Sequence, residues 1–100
     1  MSEVRIAADC IFCRIVRGEI PASKVYEDED VFAFHDVRPQ APVHFLIVPR
    51  EHVATLYDAG MGQHRALGRM LALAGELARK EGATDGFRTI INTGRVGHQE

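Results

Sequence analysis

The run His44-Phe45-Leu46-Ile47-Val48-Pro49 constrains the fold more than any other segment of this chain. Its nearly unbroken apolar character suits a strand covered on both faces, so it is expected to lie at the centre of a sheet. Pro39 and Pro42 break the chain just before it, and Pro49 closes it. A strand of that kind needs covering elements, and a chain of 100 residues can build only one hydrophobic core around it. The whole of 1–100 is therefore read as a single domain.

The covering elements are legible on either side. Apolar residues Ile11, Phe12, Ile15 and Val16 recur at helical spacing, with Asp9 placed to cap the start and Gly18 to end the turn. Lys24 to Glu27 and Val31 to His35 are β-rich and joined by Asp28-Glu29-Asp30, which predicts a hairpin. Between Gln63 and Lys80, the residues Leu67, Met70, Leu71, Ala74, Leu77 and Ala78 follow the pattern of a long amphipathic helix ended at Gly82. Phe87 to Asn92 is short, β-branched and bounded by glycines, so it reads as a further strand. This order predicts an α+β domain: an antiparallel sheet with one short N-terminal helix and one long helix.

Charge and composition narrow the function. Twelve basic against fourteen acidic residues give a formal charge of −2, which provides no field for polymeric nucleic acid or an anionic bilayer. The apolar stretch 41–49 is far too short to span a membrane, which needs roughly 20 residues. The N-terminus carries Glu3 and no apolar run before Cys10, so it does not read as a secretory signal. Two cysteines are too few for a secreted disulfide scaffold; a reducing, cytoplasmic setting is expected.

Chemistry must come from a small set of side chains. No serine or threonine sits in a nucleophile-elbow or phosphate-loop context, which excludes those hydrolase classes. Asp36 follows His35 where a strand runs out into the proline-broken loop. Its carboxylate could accept both hydrogen bonds of a vicinal diol, or it could simply form the turn. His44 opens the apolar strand and needs partners for its ring nitrogens, as any partly buried histidine does. Cys10 and Cys13, at i and i+3 of a helix, could share a soft metal with His52, or could be ordinary small apolar thiols.

Taken together, CIFCRIVRGEIPASKVYEDEDVFAFHDVRPQAPVHFLIVPREHV and the late FRTIINTGRVGHQE closely resemble the histidine triad (HIT) family, Hint branch, from about Asp9 onward. The resemblance implies a HIT-like fold and a homodimeric purine nucleoside phosphoramidase or nucleotide hydrolase acting through a nucleotidyl-histidine. It implies that Phe12, Phe34, His35 and Val37 enclose the base and ribose of an AMP-like nucleotide, that Asp36 grips the ribose hydroxyls, and that Asn92 stands beside the phosphate. His44 corresponds to a histidine that hydrogen-bonds within the triad. Some relatives bind structural zinc through residues matching Cys10, Cys13 and His52 together with the first triad histidine, whereas catalysis requires no cofactor.

The chain departs from the family in one respect. The defining H-x-H-x-H strand, whose middle histidine is the nucleophile, is expected just after Gln99-Glu100, and His35, His44, His52, His64 and His98 form no such pattern. The resemblance thus implies a HIT-like domain truncated before the triad strand and without turnover of its own. Two other readings stay open, a nucleotide- or zinc-binding fragment and a dimeric interaction module. Gly68, Ala72 and Gly75 form a small-residue stripe on the long helix through which a C2 dimer is expected.

Overall fold

The computed structural model of the protein describes residues 10–94. In chain order these form α1 (Ile11–Val16), β1 (Lys24–Glu27), β2 (Val31–His35), β3 (Phe45–Pro49), two 3-10 turns at Leu56–Asp58 and Met61–Gln63, and α2 (His64–Lys80). The strands make an antiparallel sheet in the order β1-β2-β3, so among the described residues β2 and not β3 is central. This corrects the sequence expectation. Apolar content reports coverage of both faces, and β3 does have both faces packed, but it says nothing about which strand lies between two others.

β2 carries the alternation that organises the domain. Val31 and Ala33 point to one face, where they pack with Val25 of β1 and with Leu73 and Leu77 of α2. Phe32 and Phe34 point to the other, against Ile15 of α1. The two helices therefore cover opposite faces of one sheet, and β2 is buried from Val31 to Phe34. β3 alternates in step: Phe45 and Ile47 join the α2 side, Leu46 and Val48 the α1 side. Its register runs from Val31 opposite Pro49 to His35 opposite Phe45, which puts the proline at the strand end where its missing N–H matters least.

Both helices stop in the same way. Gly18 has φ of 81° and Gly82 has φ of 99°, a region that side chains avoid. At α1, Gly18 N–H donates to Ile15 O and Glu19 N–H to Arg14 O; at α2, Gly82 N–H donates to Arg79 O and Ala83 N–H to Ala78 O. Each pair closes a Schellman motif and satisfies the carbonyls that a helix end leaves over. Cys10 occupies the N-cap of α1 and makes no side-chain capping bond there, while Asp9 lies outside the described residues.

Two further expectations need correcting. Leu71 is 62% exposed, and it is Leu73 that is buried, so the packed face of α2 is rotated toward Leu73. Phe87 to Asn92 forms no strand; Phe87, Ile90 and Ile91 are more than half exposed. β-branched composition fits a residue for a ladder, but only a neighbouring strand makes one, and no described strand lies alongside. Among the described residues no helix is long and apolar enough to cross a membrane.

Candidate functional site

The loop from β2 to β3 is tied back on itself by Asp36 and His44. Asp36 N–H donates to His44 O (3.1 Å), continuing the β2–β3 ladder by one step. Arg38 N–H donates to Asp36 Oδ1 (2.9 Å), an Asx-type turn, and Gln40 N–H donates to His44 Nδ1 (2.9 Å). With Nδ1 accepting, the neutral imidazole carries its proton on Nε2, which stands 3.3 Å from Asp36 Oδ2. Both side chains are less than a third exposed. A carboxylate fixed at one oxygen by backbone and facing an imidazole at the other is an acceptor of set direction at the mouth of the sheet.

The aromatic residues collect on the α1 side. The Phe12 ring lies 6.2 Å from that of Phe34, which in turn lies 6.0 Å from Phe32. Phe34 is buried, and Phe12 supplies the surface, being 37% exposed. Beside them a groove of about 320 Å³ runs between α1 and β1, with Ile15, Ile20 and Phe32 in its lining and Arg17 and Lys24 among its polar residues. Ile15 belongs to the helical apolar pattern of α1, and Ile20 follows in the loop before β1.

His35 falls on the opposite parity from Phe34 and faces α2, where its Nε2 stands 3.3 Å from Glu81 Oε1 at the helix C-cap. Glu81 was not foreseen, since 46 positions separate it from His35 and no local pattern links them. Val37 is 89% exposed and Asn92 is exposed on the irregular segment 83–94, with no hydrogen bond to Asp36 or His44. Of the residues inferred to hold a nucleotide, the structure thus joins Phe12 with Phe34 and Asp36 with His44, and leaves Val37 and Asn92 outside these contacts. Gly94 has φ of 67°, and the rest of the 94–97 loop, with His98, lies outside the described residues.

A second cluster forms where α1 meets the loop after β3. The ligand atoms of Cys10, Cys13 and His52 all lie within 4.8 Å of one another, and Cys13 Sγ is 3.2 Å from His52 Nδ1. Tetrahedral zinc, with Zn–S of about 2.3 Å and Zn–N of about 2.0–2.1 Å, sets its ligand atoms roughly 3.5–3.8 Å apart. The three donors are soft or borderline, partly or wholly buried, and spaced to accept such an ion with small side-chain adjustments. The residues present fit the group.

The acidic hairpin turn is held by α2. Asp28 Oδ1 accepts from the N–H groups of Asp30 (2.8 Å) and Val31 (2.9 Å), and Oδ2 accepts from the Tyr26 hydroxyl (2.9 Å) and from Arg69. Burial pushes the Asp28 carboxyl up, but the Arg69 guanidinium and these backbone donors outweigh it and hold it well below the usual carboxylate range. Hydrogen bonding to Asp28 raises the Tyr26 phenol. Arg65 reaches Glu29 (2.7 Å) and Asp30 (3.0 Å), and Lys80 Nζ donates to Val25 O (2.8 Å). These contacts lock the hairpin to the long helix and leave its charges already paired.

Comparison with known proteins bears on the family and the fold. The HIT domain model matches residues 17–100. The chain is 47% identical over 96 residues to the purine nucleoside phosphoramidase of Escherichia coli K12, covering 95% of this chain and 81% of that protein. It is 46% identical over 92 residues to protein HitA of Neisseria gonorrhoeae, covering 92% and 86%. Among solved structures, a HIT family hydrolase from Legionella pneumophila superposes with a TM-score of 0.88 at 44% identity, covering 92% of this chain and 83% of that one. A histidine triad protein from Clostridium difficile gives 0.88 at 42% identity, covering 94% and 83%. With its sheet, its two helices and most of its length shared with these proteins, the chain belongs to the HIT domain family, whose members include hydrolases.

Proposed function

We propose that this chain binds purine nucleoside monophosphate groups, with Asp36 accepting hydrogen bonds from the ribose hydroxyls and Phe12 covering the base. The observation that carries the reading is the Asp36 carboxylate itself, just past the end of β2, which bears Phe34, oriented by Arg38 N–H and faced by His44 just before β3. The similarity to a purine nucleoside phosphoramidase supports the substrate class. His35, next to Phe34 in β2 and 3.3 Å from Glu81, is proposed to border the base and ribose together with Val37, and Asn92 to stand beside the phosphate.

The chemistry that goes with this pocket is nucleophilic attack at the α-phosphate. In a HIT protein with the H-x-H-x-H pattern, an imidazole nitrogen displaces the amine from phosphorus, the amine leaves protonated, and water then hydrolyses the nucleotidyl-histidine. His44, whose Nε2 proton faces Asp36 Oδ2 here, would have to turn that proton toward a neighbouring triad imidazole in order to fix its tautomer. Asn92 and the backbone of the 94–97 loop would donate to the phosphate oxygens. None of the five histidines in these 100 residues lies in that pattern. The chain by itself is therefore proposed to bind nucleotide without turning it over.

Calorimetry with AMP and with its 2′,3′-dideoxy analogue tests the pocket. A diol gripped by Asp36 makes AMP bind about tenfold or more tightly, the equivalent of roughly 1.5 kcal/mol or more for hydrogen bonds to a charged group. Equal affinities would remove that role from Asp36. Sustained hydrolysis of adenosine 5′-phosphoramidate by the purified 100-residue chain would overturn the absence of turnover.

A second reading rests on a separate observation, the cluster of Cys10, Cys13 and His52. We infer that it holds a structural zinc ion, which when bound would tie α1 to the loop after β3. A homodimer through α2 is proposed as well. Gly68 is exposed and Gly75 half-buried, and a Cβ built on either would meet nothing within 4 Å beyond its chain neighbours and its own helix backbone, so at these two positions the small residue is not required by packing against another part of the domain. With paired cysteines of this kind, a cytoplasmic location is the proposed setting.

A further inference from the structure

We propose that Cys10 and Cys13 form a peroxide-sensitive dithiol, an oxidative modification site that closes to an intrachain disulfide and unfastens α1 from His52. The inference is independent of nucleotide binding and goes beyond the zinc reading, because it concerns what the two sulfurs do to each other.

Geometry places the two thiols for bridging. They stand at i and i+3 across the start of α1, Cys10 at its N-cap in extended backbone and Cys13 in its first turn. Their sulfurs already lie within 4.8 Å of each other, so closure to an S–S bond of about 2.05 Å asks for side-chain rotation rather than backbone movement. The two also differ in access. Cys10 is half-buried at the helix entry, whereas Cys13 is 5% exposed beneath it. This division suits an outer sulfur that meets oxidant and an inner one that resolves the product.

The step balances with a hydroperoxide as oxidant. The Cys10 sulfur takes one peroxide oxygen as the O–O bond breaks, giving a sulfenic acid and one molecule of water from hydrogen peroxide. The Cys13 sulfur then attacks the Cys10 sulfur, the S–S bond forms, and the hydroxyl leaves as a second water with the Cys13 proton. Two thiols and one hydrogen peroxide thus become one disulfide and two waters; sulfur is oxidised and peroxide oxygen reduced.

The structural effect follows from the position of His52. Cys13 Sγ sits 3.2 Å from His52 Nδ1, a side-chain contact between α1 and the segment after β3. Once Cys13 turns toward Cys10, that contact is given up and two thiolate donors are withdrawn from any cation shared with His52. Since Phe12 lies between the two cysteines in α1 and stacks near Phe34, oxidation also bears on the aromatic wall beside the sheet.

The test uses the 100-residue protein stripped of metal with a chelator and exposed to a small molar excess of hydrogen peroxide. The expected product is about 2 Da lighter, maps to a single peptide holding both cysteines, and returns to the starting mass with dithiothreitol. In parallel, Cys10→Ser is expected to leave Cys13 reduced and open to alkylation after unfolding. An unchanged mass would overturn the proposal. So would sulfinic acid accumulating on Cys10 while Cys13 stays alkylatable, since a competent resolving thiol intercepts the sulfenic acid first. Zinc content, measured separately on untreated protein, judges the metal reading alone.

Discussion

Asp36 Oδ2 and His44 Nε2 stand 3.3 Å apart at the two ends of a loop whose interior holds two prolines, so a single side-chain contact spans the entire β2–β3 connection. His44 also accepts from Gln40 N–H, which makes it the common anchor of the loop. Replacing it with alanine removes an acceptor from one backbone donor and a donor from one carboxylate. His44→Ala is expected to cost about 1–3 kcal/mol in urea unfolding. A change smaller than the error of the midpoint would mean that water replaces both bonds at no cost.

The Asp28 carboxylate predicts a specific pH dependence. Its pKa in the folded protein is depressed, so its contribution is complete above the unfolded value of about 3.9 and is lost as pH falls from there toward the folded value. Asp28→Asn should therefore lower stability at pH 7 by about 1.5–3 kcal/mol, as expected for hydrogen bonds to a charged group. The gap between variant and parent should narrow below about pH 4. Thermal unfolding at pH 7 and pH 3 measures it, and a gap of equal size at both would show that the charge of Asp28 is not what holds Arg69.

Removal of the two thiols bears on the metal. Protein purified without chelator should contain close to one zinc per chain, and Cys10→Ser/Cys13→Ser should contain none, by elemental analysis. His52→Ala should weaken zinc binding by about tenfold or more. Unmodified protein without zinc would remove the metal role from Cys10, Cys13 and His52.

The small-residue stripe makes its own prediction. Gly75→Glu adds a charged side chain where the chain's own atoms leave room, so the monomer fold should tolerate it while a close helix–helix contact should not. Sedimentation at micromolar concentration is expected to change from dimer to monomer. A dimer that survives the substitution lies elsewhere on the surface.

Local chemistry was legible in the sequence, and order in space was not. The hairpin from Lys24 to His35 matches the strands residue for residue, and both glycines read as helix stops, Gly18 and Gly82, perform that function. These features depend on neighbours a few positions away. The central place of β2 does not, because strand order is settled by which segments meet after the chain has folded. The choice between Leu71 and Leu73 likewise depends on where the sheet lies relative to α2, which six apolar residues spread over an arc leave undetermined. In the site, the Cys10-x-x-Cys13 spacing pointed to its cluster with His52. The Glu81–His35 contact had no signal at all, since it joins a helix end to a strand end through tertiary packing alone.

The alternation along β2 gives the domain two interiors that can be altered separately. Even-numbered Phe32 and Phe34 belong to the chamber beneath α1, and odd-numbered Val31 and Ala33 to the scaffold beneath α2. Substitutions at the partly exposed Phe12 and Ile20 would thus alter the α1 side of the sheet while the Val31–Leu77 packing continues to fold the chain. The sheet acts as a partition, one backbone thick, between the part of this protein that can be respecified and the part that has to stay as it is.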